Sequence, residues 1–595
     1  MNDSLDDLLL DYYQRELTYL RRASESFAQR YPKIARRLQL GPAESADPHV
    51  ERLLESFAVL TARIQRTLDD EYSELTDGLL EQFYPYASRP LPSMTIVQFN
   101  ADPTQGSVAE GYTVPRDTPL THVTADGTTL RWRTCADVTL WPVELRDAQL
   151  LNAEEAQALA GDASLQAALR LTVCTTGQYR FDALPIKRLR VRLAGSPTTA
   201  AALYDLLCAH ATAVYWQTPG EAMRVQPGCP EPLGFSDEQA LLPLEDGVHP
   251  ACRLLVEYLA FPEKFAFFDL PFVPPQGAGD RVDLLIGFRA APGGKLTLHT
   301  HDFALGCAPA INLFARTSEP LRPDATLREM RLSPDAHREA SSEIYAVRKV
   351  RAVSGRDVVE VPPYYGVGHG SGSTLYWHAR RVTGMHPSRP GSDVMLTFVD
   401  TRFDPTVPSA RTLTAELLCT NRHLAHALEP GAALSFEAPG PVASVRIAHR
   451  PTPQVAAALD GSSRWRLASQ FVLNHASLVS GPQALQTLRE MLELHNLAAS
   501  SAAQRQIAGV ASVGSEAIVA HVGEDLWRGW RNGLKVRIEL DPTHFVGTST
   551  VLFSGVLAHF FSLYASVNRF VHTALVRDGR EIHTWRPKQG SPLVL

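Results

Sequence analysis

The sequence predicts a multidomain α+β protein: a helical N-terminal module, β-rich and mostly antiparallel middle domains, and an α+β C-terminal domain. Three observations predict it. Apolar residues recur at helical spacing from Leu9 to Leu68. From Ser93 onward, short runs rich in β-branched and aromatic residues alternate at strand spacing. The helical stretches between them are too few for a regular βαβ repeat, which favours antiparallel sheets. At 595 residues the chain is too long for one core. Its changes of texture divide it into residues 1–91, 92–320, 321–460 and 461–595.

In the first segment Leu9, Tyr13, Leu17, Leu20, Phe27 and Tyr31 fall three, four or seven apart and share one helical face. Ser4 with Asp7 is a candidate capping box, and Pro32 stops the helix. A short second helix is expected over residues 32–40, ending at Gly41. Asp47 caps a third, with Pro48 in its first turn. Along it Val50, Leu53, Leu54, Phe57, Leu60, Ile64 and Leu68 make a broad apolar stripe, with Arg52, Glu55, Arg63 and Arg66 largely off it. That stripe is wide enough to need more than one packing surface. A last turn or two over residues 76–84 ends at Pro85. The module either packs on itself or contributes to a bundle shared between subunits.

Strands follow at 94–99 and 130–134, and at 137–145, where Pro142 marks an edge or bulge. Residues 152–168 read as an Ala- and Gln-rich helix, 169–175 and 189–193 as strands, 199–210 as a helix, and 214–216 as the start of a strand. The helix in the string ACRLLVEYLAFPEKFAFFDL (251–270) must stop before Pro262. Phe261, Phe265, Phe267, Phe268 and Phe272 then fill a core, as crowded aromatics usually do. Strands are expected at 282–288, 295–301, 341–353, 358–361, 375–381, 393–400, 411–418 and 534–540. Residues 465–474 and 482–494 read as helices, the second with Leu485, Leu488, Met491 and Leu492 on one side. Asp578-Gly579 joins 573–577 to 580–585 as a hairpin.

Composition narrows the function classes. A net charge of −7 argues against a nucleic-acid binder. Seven scattered cysteines, odd in number and without a C-x-x-C pair, suggest reduced, partly buried thiols. The acidic start MNDSLDDLLL is not a secretory signal. Residues 551–576 are apolar, but His559, Asn568, Arg569 and His572 interrupt them, so a buried helix is expected there and not a membrane span. The glycine-rich loop in YYGVGHGSGS (364–373) lacks the spacing of a phosphate-binding motif. His299 and His301 share a face of an expected strand beside Asp302, yet no further ligand set accompanies them. There is no G-x-S-x-G elbow. No catalytic, cofactor-binding or metal-ligating residue is nominated. A carbohydrate-active enzyme or β-rich carbohydrate-binding protein is the alternative class.

Several strings carry a resemblance. LLDYYQRELTYLRR (9–22), DPHVERLLESFA (47–58), the 251–270 string, GCAPAINLFARTSEPL (306–321), LLCTNRHL (417–424) and GVLAHFFSLYASVNRF (555–570) follow one another along the whole chain. Together they resemble the TssF (ImpG/VasA) family, wedge subunits of the type VI secretion baseplate. The resemblance implies a fold similar to contractile phage-tail baseplate wedge subunits, and a structural role without catalysis or cofactor. It also implies partners: TssG with two TssF copies each, a second TssF copy, TssK, TssE, and the VgrG spike, sheath and tube by assembly. Neither nucleic acid nor direct membrane insertion is implied; the place implied is cytoplasmic, at the inner face of the envelope. The interface candidates are Tyr12, Tyr13, Glu16, Leu17, Leu20, His49, Arg52, Leu53, Phe57, Leu60, Ile64 and Leu68. A helix over 555–568 competes for the bundle role.

Overall fold

A computed structural model describes residues 3–37, 47–71, 78, 80–102, 104, 106–245, 248–275, 277–322, 329–354, 357–365, 375–384, 391–400, 412–459, 478–521, 530–565, 569–586 and 588–589. They fall into two compact units, one built on Met1–Leu80 and one on Glu81–Ala458 with Ser469–Leu595.

The smaller unit is helical. Helix α1 spans Asp3–Arg30, α2 Pro32–Arg37 and α3 Pro48–Glu71. α1 starts at Asp3, so Ser4 lies within its first turn, and the side chains of the capping box expected at Ser4 and Asp7 fall outside those described. Pro32 ends α1 as expected, and the part of the second helix expected beyond Arg37 lies outside the described residues. Asp47 does cap α3: its Oδ1 accepts the His49 backbone N–H at 2.9 Å, with Pro48 in the first turn. Arg21 Nη2 meets Glu51 Oε1 at 2.7 Å, setting the later half of α1 against the first turn of α3 in an antiparallel pair.

The larger unit contains a closed barrel of six strands, in the order Met94–Ala101, Cys307–Ile311, Thr129–Thr134, Pro119–Val123, Ala433–Phe436, Val442–Ile447. Val97, Phe99, Leu120, Leu130, Trp132, Ala308 and Ala310 fill it. The described strands between 314 and 420 form two facing sheets. One orders Phe314–Thr317, Thr412–Thr420, Glu343–Ser354 and Asp357–Val361; the other orders Met330–Arg331, Ser392–Asp400 and Leu375–Thr383. A five-stranded sheet around Ala167–Thr175 and Arg281–Phe288 shares one core with a C-terminal sheet, so residues 148–303 and 478–575 pack together. In that last sheet Trp530–Leu540 and Phe570–Arg577 run parallel, linked across the Thr550–Tyr564 helix.

Several expectations need correcting. Of the edge or bulge expected at Pro142, the edge holds, since Val143–Leu151 is the outer strand of its sheet; but Pro142 lies between two strands and not within one. Val138–Leu140 pairs with Tyr112–Val114, whereas Val143–Leu151 joins Ala167–Thr175 in a different sheet. The 152–168 helix is only Ala153–Ala160: Asn152 caps it by accepting from Glu155 N, and Gly161 ends it at φ 68°. Residues 295–301 contain no strand; a 3₁₀ turn at Thr300–Asp302 stands there, with Asp302 Oδ2 accepting from His299 N at 2.8 Å. Expectations for the glycine-rich loop at 366–372 and the helix at 465–474 fall outside the described residues.

Others hold. All five phenylalanines of the 261–272 cluster are buried. Asp578 and Gly579 take φ of 51° and 74°, the left-handed pair that a tight hairpin requires. Cys135, Cys174, Cys252, Cys307 and Cys419 are buried free thiols. Of the apolar stretch 551–576, the first part is a buried helix, Thr550–Tyr564, but Phe570–Arg577 is a strand; no helix among the described residues is long and apolar enough to cross a membrane.

The core of the larger unit encloses a charge pair. Glu257, on the Pro250–Ala260 helix, is fully buried; its Oε1 accepts the Leu241 and Leu242 N–H groups at 2.9 Å, and its Oε2 accepts from Lys264 Nζ. Desolvation pushes the Lys264 ammonium below its ordinary pKa, partly opposed by Glu257. Glu257→Ala should cost about 3–5 kcal/mol in urea unfolding, because it strands a buried cation and two backbone donors. A Glu257→Met/Lys264→Met double variant should lose less.

Asp205 is mostly buried beside Ser549, which donates to it while capping the Thr550–Tyr564 helix by accepting from Leu552 N. Desolvation raises the Asp205 carboxyl from 3.8 to about 6, against the pull of Ser549. Between those values the folded state holds the extra proton, so this group's contribution falls as pH rises from about 4 to about 6. Asp205→Asn should therefore raise stability at pH 7 by about 2–3 kcal/mol, with the gain vanishing below about pH 4 in pH-dependent denaturation.

Candidate interaction surface

The chemistry-bearing residues give no catalytic constellation to build on. The His299 and His301 rings stack at 5.2 Å, but on a 3₁₀ turn and not on a strand. Among the described residues no group of three or more His, Cys, Asp or Glu is placed to hold a metal. A cavity of about 310 Å³ lies between the barrel and the five-stranded sheet, lined by Gln98, Trp141, Glu144, Arg190 and Phe303 among others. Its arginine is already committed: Arg190 forks onto Asp269 at 2.8 and 3.1 Å and donates to Asp137 O.

The helical unit offers more. On α3, Val50, Leu54 and Thr61 are half-buried and Ala58 and Ala62 are buried, with the α1 positions Tyr13, Leu17, Leu20, Ser24 and Phe27 half-buried in turn. Small residues at 58 and 62 let the two backbones approach. Leu53, Phe57, Leu60 and Ile64 step by four, three and four along a second face, roughly a quarter turn from the first. These four stay 69%, 60%, 56% and 60% exposed. One apolar stripe in the sequence is thus two faces in space: one closes the helix pair, and the other is open. Burying the open side chains is worth about 1–2 kcal/mol each, a strong drive toward a partner surface.

The remaining candidates divide between these faces. Tyr13, Leu17 and Leu20 belong to the helix pair, with Tyr12 and Glu16 half-buried beside them. His49 and Arg52 are exposed and flank the open stripe. Leu68 continues along α3, its side chain outside those described. Sequence reading missed Leu10 and Tyr19, which the structure leaves 49% and 67% exposed on α1. The signal was present, since Tyr19 lies seven residues after Tyr12, but a face defined by Tyr13 and Leu17 hid it. The C-terminal competitor is withdrawn: Thr550–Tyr564 packs against Pro250–Ala260 inside the larger unit, its Val551, Phe553, Val556, Leu557, Phe560 and Phe561 all buried.

Comparison with known proteins places this geometry. A family model described as "Type VI secretion system, TssF" matches residues 5–592. The chain belongs to the TssF family. It is 32% identical to type VI secretion system component TssF1 of Pseudomonas aeruginosa, over 98% of this chain and 99% of that one. Two solved structures share the fold. One is a chain from a TssK-TssF-TssG baseplate subcomplex, at TM-score 0.73 and 24% identity, covering 90% of this chain and 98% of that one. The other is a chain from the baseplate complex of the type VI secretion system, at TM-score 0.58 and 22% identity, covering 98% and 100%.

The two faces of α3 should respond oppositely to charge. Phe57→Asp or Leu53→Asp should change the unfolding free energy of the full chain little, within about 0.5 kcal/mol in denaturant titration, since each site is already solvated. Ala58→Asp places a carboxylate between α1 and α3 and should selectively lose helical circular dichroism from this unit.

Proposed function

We propose that this chain is a structural, non-catalytic subunit of the type VI secretion baseplate, assembling through the open face of α3. The exposed Leu53–Phe57–Leu60–Ile64 stripe carries the reading, because four large apolar side chains at helical spacing suit insertion into a shared helix bundle. The partners are TssG-like and TssK-like proteins, the companions named with the TssF chain in the matched subcomplex. The same reading includes two copies of this chain per TssG, contact with TssE, a place around the VgrG spike, and templating of tube and sheath. It sets the protein in the cytoplasm, held at the inner face of the envelope through the rest of the assembly.

The larger unit also fixes where to cut the chain. Arg89 is buried, donating to Glu81 Oε1 at 2.5 and 2.8 Å and to Glu245 Oε1 at 2.7 Å, with its guanidinium 5.4 Å over the Tyr345 ring. Residues from Glu81 onward therefore belong to the body, so a clean deletion removes 2–80 and leaves 81–90 in place. Co-expression with the cognate TssG-like and TssK-like proteins should recover TssG with the full chain. With the 2–80 deletion, or with Leu53→Asp/Phe57→Asp in the full chain, recovery should fall at least about tenfold while the body keeps its cooperative melt. Undiminished TssG recovery with both variants would overturn the reading.

A further inference from the structure

Two of the family-like strings meet in space, and neither serves the helical surface. The chain leaves the barrel after Cys307–Ile311 and enters the two-sheet lobe at Phe314–Thr317, so the outward crossing is Asn312-Leu313. It returns at the end of Thr412–Thr420 through Asn421 and a 3₁₀ turn, Arg422–Ala427. Asn312 and Asn421 are 0% and 2% exposed and bond each other. Asn312 Nδ2 donates to Asn421 Oδ1 at 2.9 Å, and Asn421 N donates to Asn312 Oδ1 at 2.7 Å.

Their remaining valences reach both lobes. On the barrel side, Asn312 Nδ2 donates to Arg131 O at 2.6 Å, Arg131 N donates to Asn421 Oδ1 at 2.8 Å, and Asn421 Nδ2 donates to Thr129 O at 3.2 Å. On the other side Asn421 Nδ2 donates to Ser341 O at 3.0 Å, just ahead of the Glu343–Ser354 strand. Both donors of each amide are used, with both lone pairs of Asn421 Oδ1 and one of Asn312 Oδ1.

A second buried knot lies alongside. Glu343 Oε1 accepts from Ser392 N and Oγ within the two-sheet lobe, while its Oε2 accepts from Gln454 at 2.6 Å on the segment that follows the barrel. Arg422, held at φ 55°, donates from Nε to Ser342 O at 3.0 Å. Gly391, at φ 132°, completes the fit, since a Cβ there would sit 2.6 Å from Arg422 Nη1 and 2.8 Å from Glu343 Oε2.

We infer that the barrel and the two-sheet lobe are locked into one rigid body by the Asn312–Asn421 joint. Swinging either lobe at its covalent crossings would strip buried amides of partners that water cannot replace. Both crossings are pinned to each other, so neither can open alone. This inference is independent of the partners proposed above.

Double electron–electron resonance on the full chain tests it. Spin labels go on Val123→Cys in the barrel and Val358→Cys in the lobe, both exposed, in a Cys229→Ser background that removes the exposed native thiol. With the joint intact, the label–label distribution should be a single narrow peak; a broad or two-peaked distribution overturns the inference. Asn312→Ala, and Asn421→Asp (which keeps shape and removes two donors), should widen the peak at least about twofold. An unchanged width in a variant that melts cooperatively overturns it as well. Should neither variant fold, the distribution with the joint intact decides alone.

Discussion

The larger unit depends on two helices that have no solvent face. Pro250–Ala260 is buried from Ala251 to Leu259, and Thr550–Tyr564 packs directly against it. Helices buried on every side must be enclosed all round, and no single neighbour in sequence can enclose either one. That requirement folds the stretch after residue 478 back onto the stretch before 303, giving one continuous core. It also explains the buried Glu257. A carboxylate at that depth is tolerable because Lys264 and two backbone donors saturate it.

Most elements were legible where a local signal set them. Pro32, Asp47-Pro48, Pro262 and Asp578-Gly579 mark real boundaries because proline, caps and left-handed turns act over a few residues. Failures occurred where local propensity competed with longer-range pairing. The helix over 152–168 was overextended because Ala163, Gln166, Ala167 and Ala168 continue the Ala- and Gln-rich texture, although Gly161 ends it and Ala167 already opens a central strand buried on both faces. Pro142 was recognised as a disruption, but only pairing reveals that the two halves belong to different sheets. Divisions drawn along the sequence, such as 92–320 and 461–595, likewise cannot say which segments share a core; the shared barrel of 94–134 and 433–447 is invisible without register.

The candidate surface was legible to a similar depth. The width of the α3 stripe can be counted from residues 50–68, and excess width over one contact surface is a physical statement available from sequence. Which four side chains stay open is not, because that depends on where α1 lies. The small residues decide it: Ala58 and Ala62 permit close approach, so α1 settles over the face they share with Val50 and Leu54. Leu53, Phe57, Leu60 and Ile64 are left outward by the same choice.

A subunit that works by assembly needs both kinds of surface, and they follow opposite rules. The Asn312–Asn421 joint is polar, hydrogen-bonded through every amide donor and buried, so it is directional and favours a single arrangement. The α3 stripe is apolar and open, so it can bind strongly but does not by itself fix an angle. On the proposed reading, placing the directional contacts inside the body and the non-directional one on the helical unit would let the partner set the geometry of docking. A bundle formed by directional polar contacts would instead fix the angle in advance.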